Sequence, residues 1–163
     1  MLFCSLMGTA VAQTQDREAN LKAAFIYNFT KYIEWDTSTS ANNFVIGIIG
    51  SSGITAPLTE IAKTNTVKNK KIIIRLYNKP EDIGNCDILF IPQKIPYQLG
   101  SILGKTGRGV LTISEEEGLA KEGTAFNFVI RNDKLKFEAN LKAISSAGLK
   151  AGSQLLKLAI PVN

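Results

Sequence analysis

An α/β fold on a largely parallel sheet is predicted from three features of the sequence. Short, almost uniformly apolar runs recur along the middle of the chain, helical pieces and turn residues separate them, and the last third switches to alternating runs around Asn132-Asp133. A strand covered on both faces reads as an unbroken apolar run, and helical pieces between such strands give the crossovers a parallel sheet requires. The 163 residues, 45% hydrophobic and 20% charged, fit one globular domain able to bury a core without disulfides or metals.

The elements follow in order. From about Asp16 to Trp35, Leu21, Phe25, Phe29 and Tyr32 recur at helical spacing, while Lys22, Thr30, Lys31 and Glu34 fall away from that stripe. Asp16 and Glu18 suit the positive N-terminal end of a helix dipole. Phe44 to Ile49, Ile72 to Leu76, Cys86 to Ile91 and Gly109 to Ile113 read as strands, with Pro92 closing the third. Pro57 to Ala62 and Tyr97 to Leu103 read as helices, since proline is tolerated in a first turn and Gly104 can stop the second. Ala125 to Ile130 and Lys134 to Phe137 form a hairpin about Asn132-Asp133. Asn140 is expected to cap a helix ending near Gly148, and Ser153 a last helix carrying Leu155, Leu156, Leu158 and Ala159. No linker, repeat or low-complexity tract divides the chain.

Residues 1–12 differ from the rest. They carry no charge, are biased to Leu2, Phe3, Leu6, Met7 and Val11, and end in Ala10-Val11-Ala12 before polar Gln13-Thr14-Gln15-Asp16. That is the apolar region and small-x-small cleavage site of a secretory signal, though without its basic start, as a truncated leader would lack it. The expectation is a leader over 1–12 and a single mature domain over 13–163. The alternative is a buried N-terminal strand or helix, against which Gly8 and Thr9 weigh for the helix. Cleavage would remove Cys4 and leave Cys86 alone, unable to form an internal disulfide and read here as a small buried hydrophobe. Every charge lies beyond residue 15, so the net +5 survives cleavage. Lys68, Lys70 and Lys71 form the densest basic cluster, but no nucleic-acid motif accompanies them, and a solvated surface is the reading adopted.

Catalytic signatures fail one by one. The chain has no histidine, which removes Ser-His-Asp and Cys-His catalysis, histidine-liganded zinc and the commonest general base. Glu115-Glu116-Glu117 lacks the alternating carboxylates of a calcium loop and reads as the solvated start of a helix. Gly100 to Thr106 ends in Gly-Lys-Thr, but three residues rather than four separate its glycines, and it ends a helix instead of following a strand. Gly47 to Gly53 follows a strand without the dinucleotide spacing. Gly50, Ser51, Ser52 and Gly53 make a tight strand-to-helix turn, with an anion on its amides as the alternative. Asn28, polar at the edge of the stripe, is expected to make a structural hydrogen bond. No enzyme, metal or cofactor is expected.

Three segments taken in order resemble the YfiR family. They are Leu21 to Trp35 with its closing Glu-Trp, then Cys86 to Ile91 with Val110 to Ser114, then Phe137 to Asn140 running into Ala147-Gly148-Leu149 and Ser153 to Ala159. The resemblance implies a Rossmann-like fold without its nucleotide site, export to the periplasm, and dimerisation. It also implies repression of a membrane diguanylate cyclase through its periplasmic portion, with release by an outer-membrane lipoprotein. Some relatives carry disulfide-forming cysteine pairs; Cys86 alone cannot. A sensor kinase is the other partner class considered, and a periplasmic small-ligand sensor using the Gly50–Gly53 turn is the alternative function. Lys31, Glu34 and Trp35, where a charged helix end meets a large aromatic, are the candidate partner surface; the plainer reading of them is a core tryptophan beside solvated charges.

Overall fold

The computed structural model describes residues 7–35 and 42–163; residues 1–6, with Cys4 and half of the expected leader, and residues 36–41 lie outside them. The chain runs through α1 (Met7–Phe29), β1 (Ile33–Glu34), β2 (Asn43–Ile49), α2 (Thr55–Thr64), β3 (Thr66–Val67), β4 (Lys70–Tyr77) and β5 (Ile88–Ile91). It continues through α3 (Leu99–Leu103), β6 (Leu111–Ser114), α4 (Leu119–Glu122), β7 (Phe126–Arg131), β8 (Lys134–Asn140), α5 (Leu141–Ser146), β9 (Lys150–Ala151), α6 (Ser153–Leu156) and β10 (Ile160–Val162).

Eight strands form one sheet in the order β10-β8-β7-β6-β5-β2-β4-β3. The five from β4 to β7 are mutually parallel, β8 returns antiparallel to β7, and β10 lies parallel to β8. Taken in chain order the parallel strands lie 2-1-3-4-5, the doubly wound arrangement whose order reverses between β2 and β5. The mainly parallel, Rossmann-like sheet with a late hairpin is therefore the fold the sequence predicted. Asn132 and Asp133 both take positive φ, +52° and +58°, at the hairpin tip, the mirror-image turn whose twist matches the flanking strands.

Residues two apart on a strand share a face, so the apolar runs feed two layers at once. Ile46, Ile48, Ile88, Phe90, Ile113, Phe126 and Phe137 pack under α1 and α2, while Ile49, Leu89 and Ile91 pack against α3 through Ile102. Phe29 anchors the first layer, with ring centroids 4.8 Å from Phe126 and 4.9 Å from Phe137.

Five expectations need correction. The buried face of α1 carries Ala23, Ile26 and Phe29 and continues to Ile33, so the expected stripe is turned by about one residue: Leu21 is 46% and Tyr32 40% exposed. Lys22 and Thr30, expected outside, are buried. Thr30 bonds its own helix end (Oγ1 to Tyr27 O, 2.6 Å), while the Lys22 amine is held by Glu18 and Glu115. The helix stops at Phe29 rather than running to Trp35. Gly152, not Ser153, occupies the N-cap of α6. Glu115 is no solvated helix start: α4 begins at Leu119, and Glu115 is largely covered beside Lys22. The Asn140 cap stands, its side chain accepting from Ala143 N at 2.9 Å, and Gly148 ends that segment at φ +73°.

Candidate functional site

Parallel strands begin together at one end of the sheet, and there the first residues of β2 and β4 and the segments leading into β5 and β6 line a cavity of about 840 Å³, within the range of small-molecule sites. Its wall is built around Asp87. The Asp87 amide donates to Val45 O (2.8 Å), its carboxylate Oδ2 accepts from Val45 N (2.7 Å), and its carbonyl accepts from Leu111 N (2.9 Å) and Trp35 Nε1 (3.2 Å). One residue thus ties β2, β5, β6 and the chain after β1. Burial raises the Asp87 carboxyl above the usual carboxylate range, opposed by the Val45 N–H bond and the charge of Lys70. Beside it, burial and then the Asp87 charge push the Cys86 thiol up to about 11.

Trp35 closes the cavity edgewise on Phe44, centroids 5.2 Å apart and rings 89° to each other. Val45, Ile83 and Val110 add apolar surface, and Lys68, Lys70, Lys105 and Arg108 line it with positive charge. Arg108 rests on Gly148, where a Cβ would lie 2.7 Å from its Nη2. The φ of +73° is what requires glycine here, since the guanidinium is the far end of a flexible side chain that could move aside.

The three residues of the expected partner patch are adjacent but divided in role. Lys31 is exposed, bonded to Asn28 Oδ1 at 3.0 Å and set 4.9 Å from the Tyr27 ring centroid, so Asn28 makes the local bond expected of it. Glu34 is exposed on β1, opposite Lys150 of β9. Trp35 turns inward to the core and the cavity. Gly50 to Gly53 lie at the other, carboxyl end of β2: Gly50 takes φ +77° and donates to Tyr77 O at 2.8 Å, and Ser52 Oγ accepts from Ile54 N at 3.3 Å. The two candidate regions are thus at opposite ends of the sheet. Sequence reading missed the cavity, because Lys68, Lys70, Lys105, Arg108 and Asp87 converge only once the strand order is known; the Lys68-Lys70 cluster was its one visible trace.

Among the described residues no group of His, Cys, Asp and Glu is placed to hold a metal ion, and no helix is long and apolar enough to cross a membrane. A second buried polar group spans β6 to β8. There Ser114 Oγ lies 2.7 Å from Thr124 Oγ1 and 2.7 Å from Asn127 Oδ1, and Asn127 Nδ2 donates to Glu138 at 3.0 Å. These groups satisfy one another, which a buried polar row must do to avoid a desolvation cost.

The architecture is that of an open, doubly wound α/β domain whose sheet ends in an antiparallel extension. The YfiR/HmsC-like family model matches residues 19–160, and the chain belongs to that family, one that is regulatory rather than catalytic. No curated protein matches the chain.

Proposed function

We propose that this chain is an exported, non-catalytic regulator that docks on the periplasmic portion of a membrane diguanylate cyclase and holds it inactive. The observation that carries the reading is the family match over residues 19–160, which takes in α1 from its first buried turn and nearly the whole sheet. A sensor kinase is the other partner class the same docking would suit, an outer-membrane lipoprotein is the proposed antagonist, and the working form is a homodimer. Export follows from cleavage after Ala12, which would remove no buried side chain among residues 10–12.

Lys31 and Glu34 offer opposite charges on one exposed rim, and exposed Tyr32 between them supplies apolar area, a mixture that suits a protein contact. Trp35 belongs to that surface as a support from beneath. Crosslinking in intact cells followed by purification of the chain should recover the membrane cyclase. Lys31→Glu with Glu34→Lys should weaken recovery several-fold while leaving the fold unchanged, since both side chains are exposed. Undiminished recovery would move the interface elsewhere, and recovery of no membrane signalling protein would contradict the docking itself.

A further inference from the structure

We propose that the cavity at the starts of the parallel strands binds a small amphipathic organic anion, its carboxylate or phosphate held by the cavity lysines and Arg108 and its apolar body laid against Trp35, Val45 and Val110. Among the described residues, four lining cations, Lys68, Lys70, Lys105 and Arg108, face one lining carboxylate, Asp87. That excess lies in a concave site rather than on a flat surface, so its field acts on one volume. Lys68 and Lys70 stand where β4 begins, and Lys105 and Arg108 precede β6. With β2 and β5 between them, the mouth is three strand spacings wide, roughly 14 Å.

Positive charge alone would attract any ion. The apolar wall selects for an anion that carries a hydrophobic body, and Trp35 and Val110 are both only half-buried there. Arg108 lies over the Gly148 turn, and the Gly109 amide next to it donates to Ala147 O at 2.7 Å, which fixes the loop that carries it. One Asp87 carboxylate oxygen is bonded to Val45 N; the negative charge it leaves in the wall opposes an entering anion, which gives the site a built-in control of opposite sign.

Trp35 is the only tryptophan in the chain, so its emission, corrected against free tryptophan for the absorbance and emission of the probe, reports occupancy. Titration of the purified chain with 1-naphthoate and with 1-naphthyl phosphate should give a saturable change in that emission with at least one of them, the stronger naming the preferred head group. Neutral 1-naphthalenemethanol should bind at least about tenfold more weakly, as the loss of charge-assisted contacts requires. Of the paired variants Lys105→Gln/Arg108→Gln and Lys68→Gln/Lys70→Gln, at least one should weaken binding by about tenfold or more. Asp87→Asn should tighten it, and Lys134→Gln/Lys136→Gln on β8, outside the lining, should leave it unchanged. Lys105→Gln alone, an exposed change, keeps the test valid if a paired variant does not fold. No saturable change with either anion, equal binding of the neutral alcohol, or indifference to both cation pairs would overturn the site. The assay contains no protein partner, so its result stands apart from the regulatory reading.

Discussion

Lys22 sits on the buried face of α1, its amine 2.5 Å from Glu18 and 2.6 Å from Glu115, 93 residues away. Sequence spacing placed it outside because lysine is read as a solvated residue; its long stem packs like a hydrophobe once two carboxylates take the charge. Burial lowers the Lys22 pKa, and its bonds to Glu115 and Glu18 outweigh that and raise it overall. Lys22→Met should cost about 1–3 kcal/mol in a urea melt by stranding a covered carboxylate. Adding Glu115→Gln should recover most of that loss, the signature of a coupled pair. Cys86 gives the opposite lesson, for its place at the head of an apolar run already marked it as buried. With its thiol raised to about 11, it should resist alkylation at pH 8, and melts with and without reductant should agree to within about 2 °C. Because the folded thiol holds its proton more tightly than the unfolded one, this stabilisation is complete below pH 9 and is lost as pH rises toward 11. Rapid labelling of the folded chain, or a large fall in reductant, would contradict this.

Elements were legible where local chemistry settles them. The Asn132-Asp133 turn and the Asn140 cap are decided by the residues themselves, and both stand. The two-residue strands β1 and β9 left no periodic signal, because pairing across the fold makes them, Ile33 meeting Ala151; β3 is too short to show a period and pairs locally, Val67 meeting Lys70 around the positive-φ turn Lys68-Asn69. Two substitutions separate these cases. Asp133→Gly should stabilise the hairpin by about 0.5–1 kcal/mol, as glycine accepts the positive φ without strain. Asn140→Ala should cost about 1–2 kcal/mol, since it removes the cap on Ala143 N and the 2.7 Å bond from Nδ2 to Ala120 O. Equilibrium unfolding in urea reads both, and a neutral Asn140→Ala would mean that α5 is held by packing alone.

For the whole molecule, the parallel sheet was readable from runs of apolar residues, but the strand order was not, and the order is what gathers the basic cavity. The N-terminal part of α1 carries exposed side chains from Ala10 through Arg17, so a mature chain beginning at Gln13 keeps every buried contact described. Intact mass of the protein from the periplasm should therefore correspond to residues 13–163, and an uncleaved chain retained in the cytosol would contradict export. Repression of a membrane cyclase from the periplasm, without chemistry, is read out by cellular cyclic-di-GMP in a strain lacking the gene. The level should rise on deletion and return when the exported chain is restored, but not when a leaderless 13–163 is expressed in the cytosol. A level unchanged by deletion, or restored equally by the leaderless chain, would contradict the account.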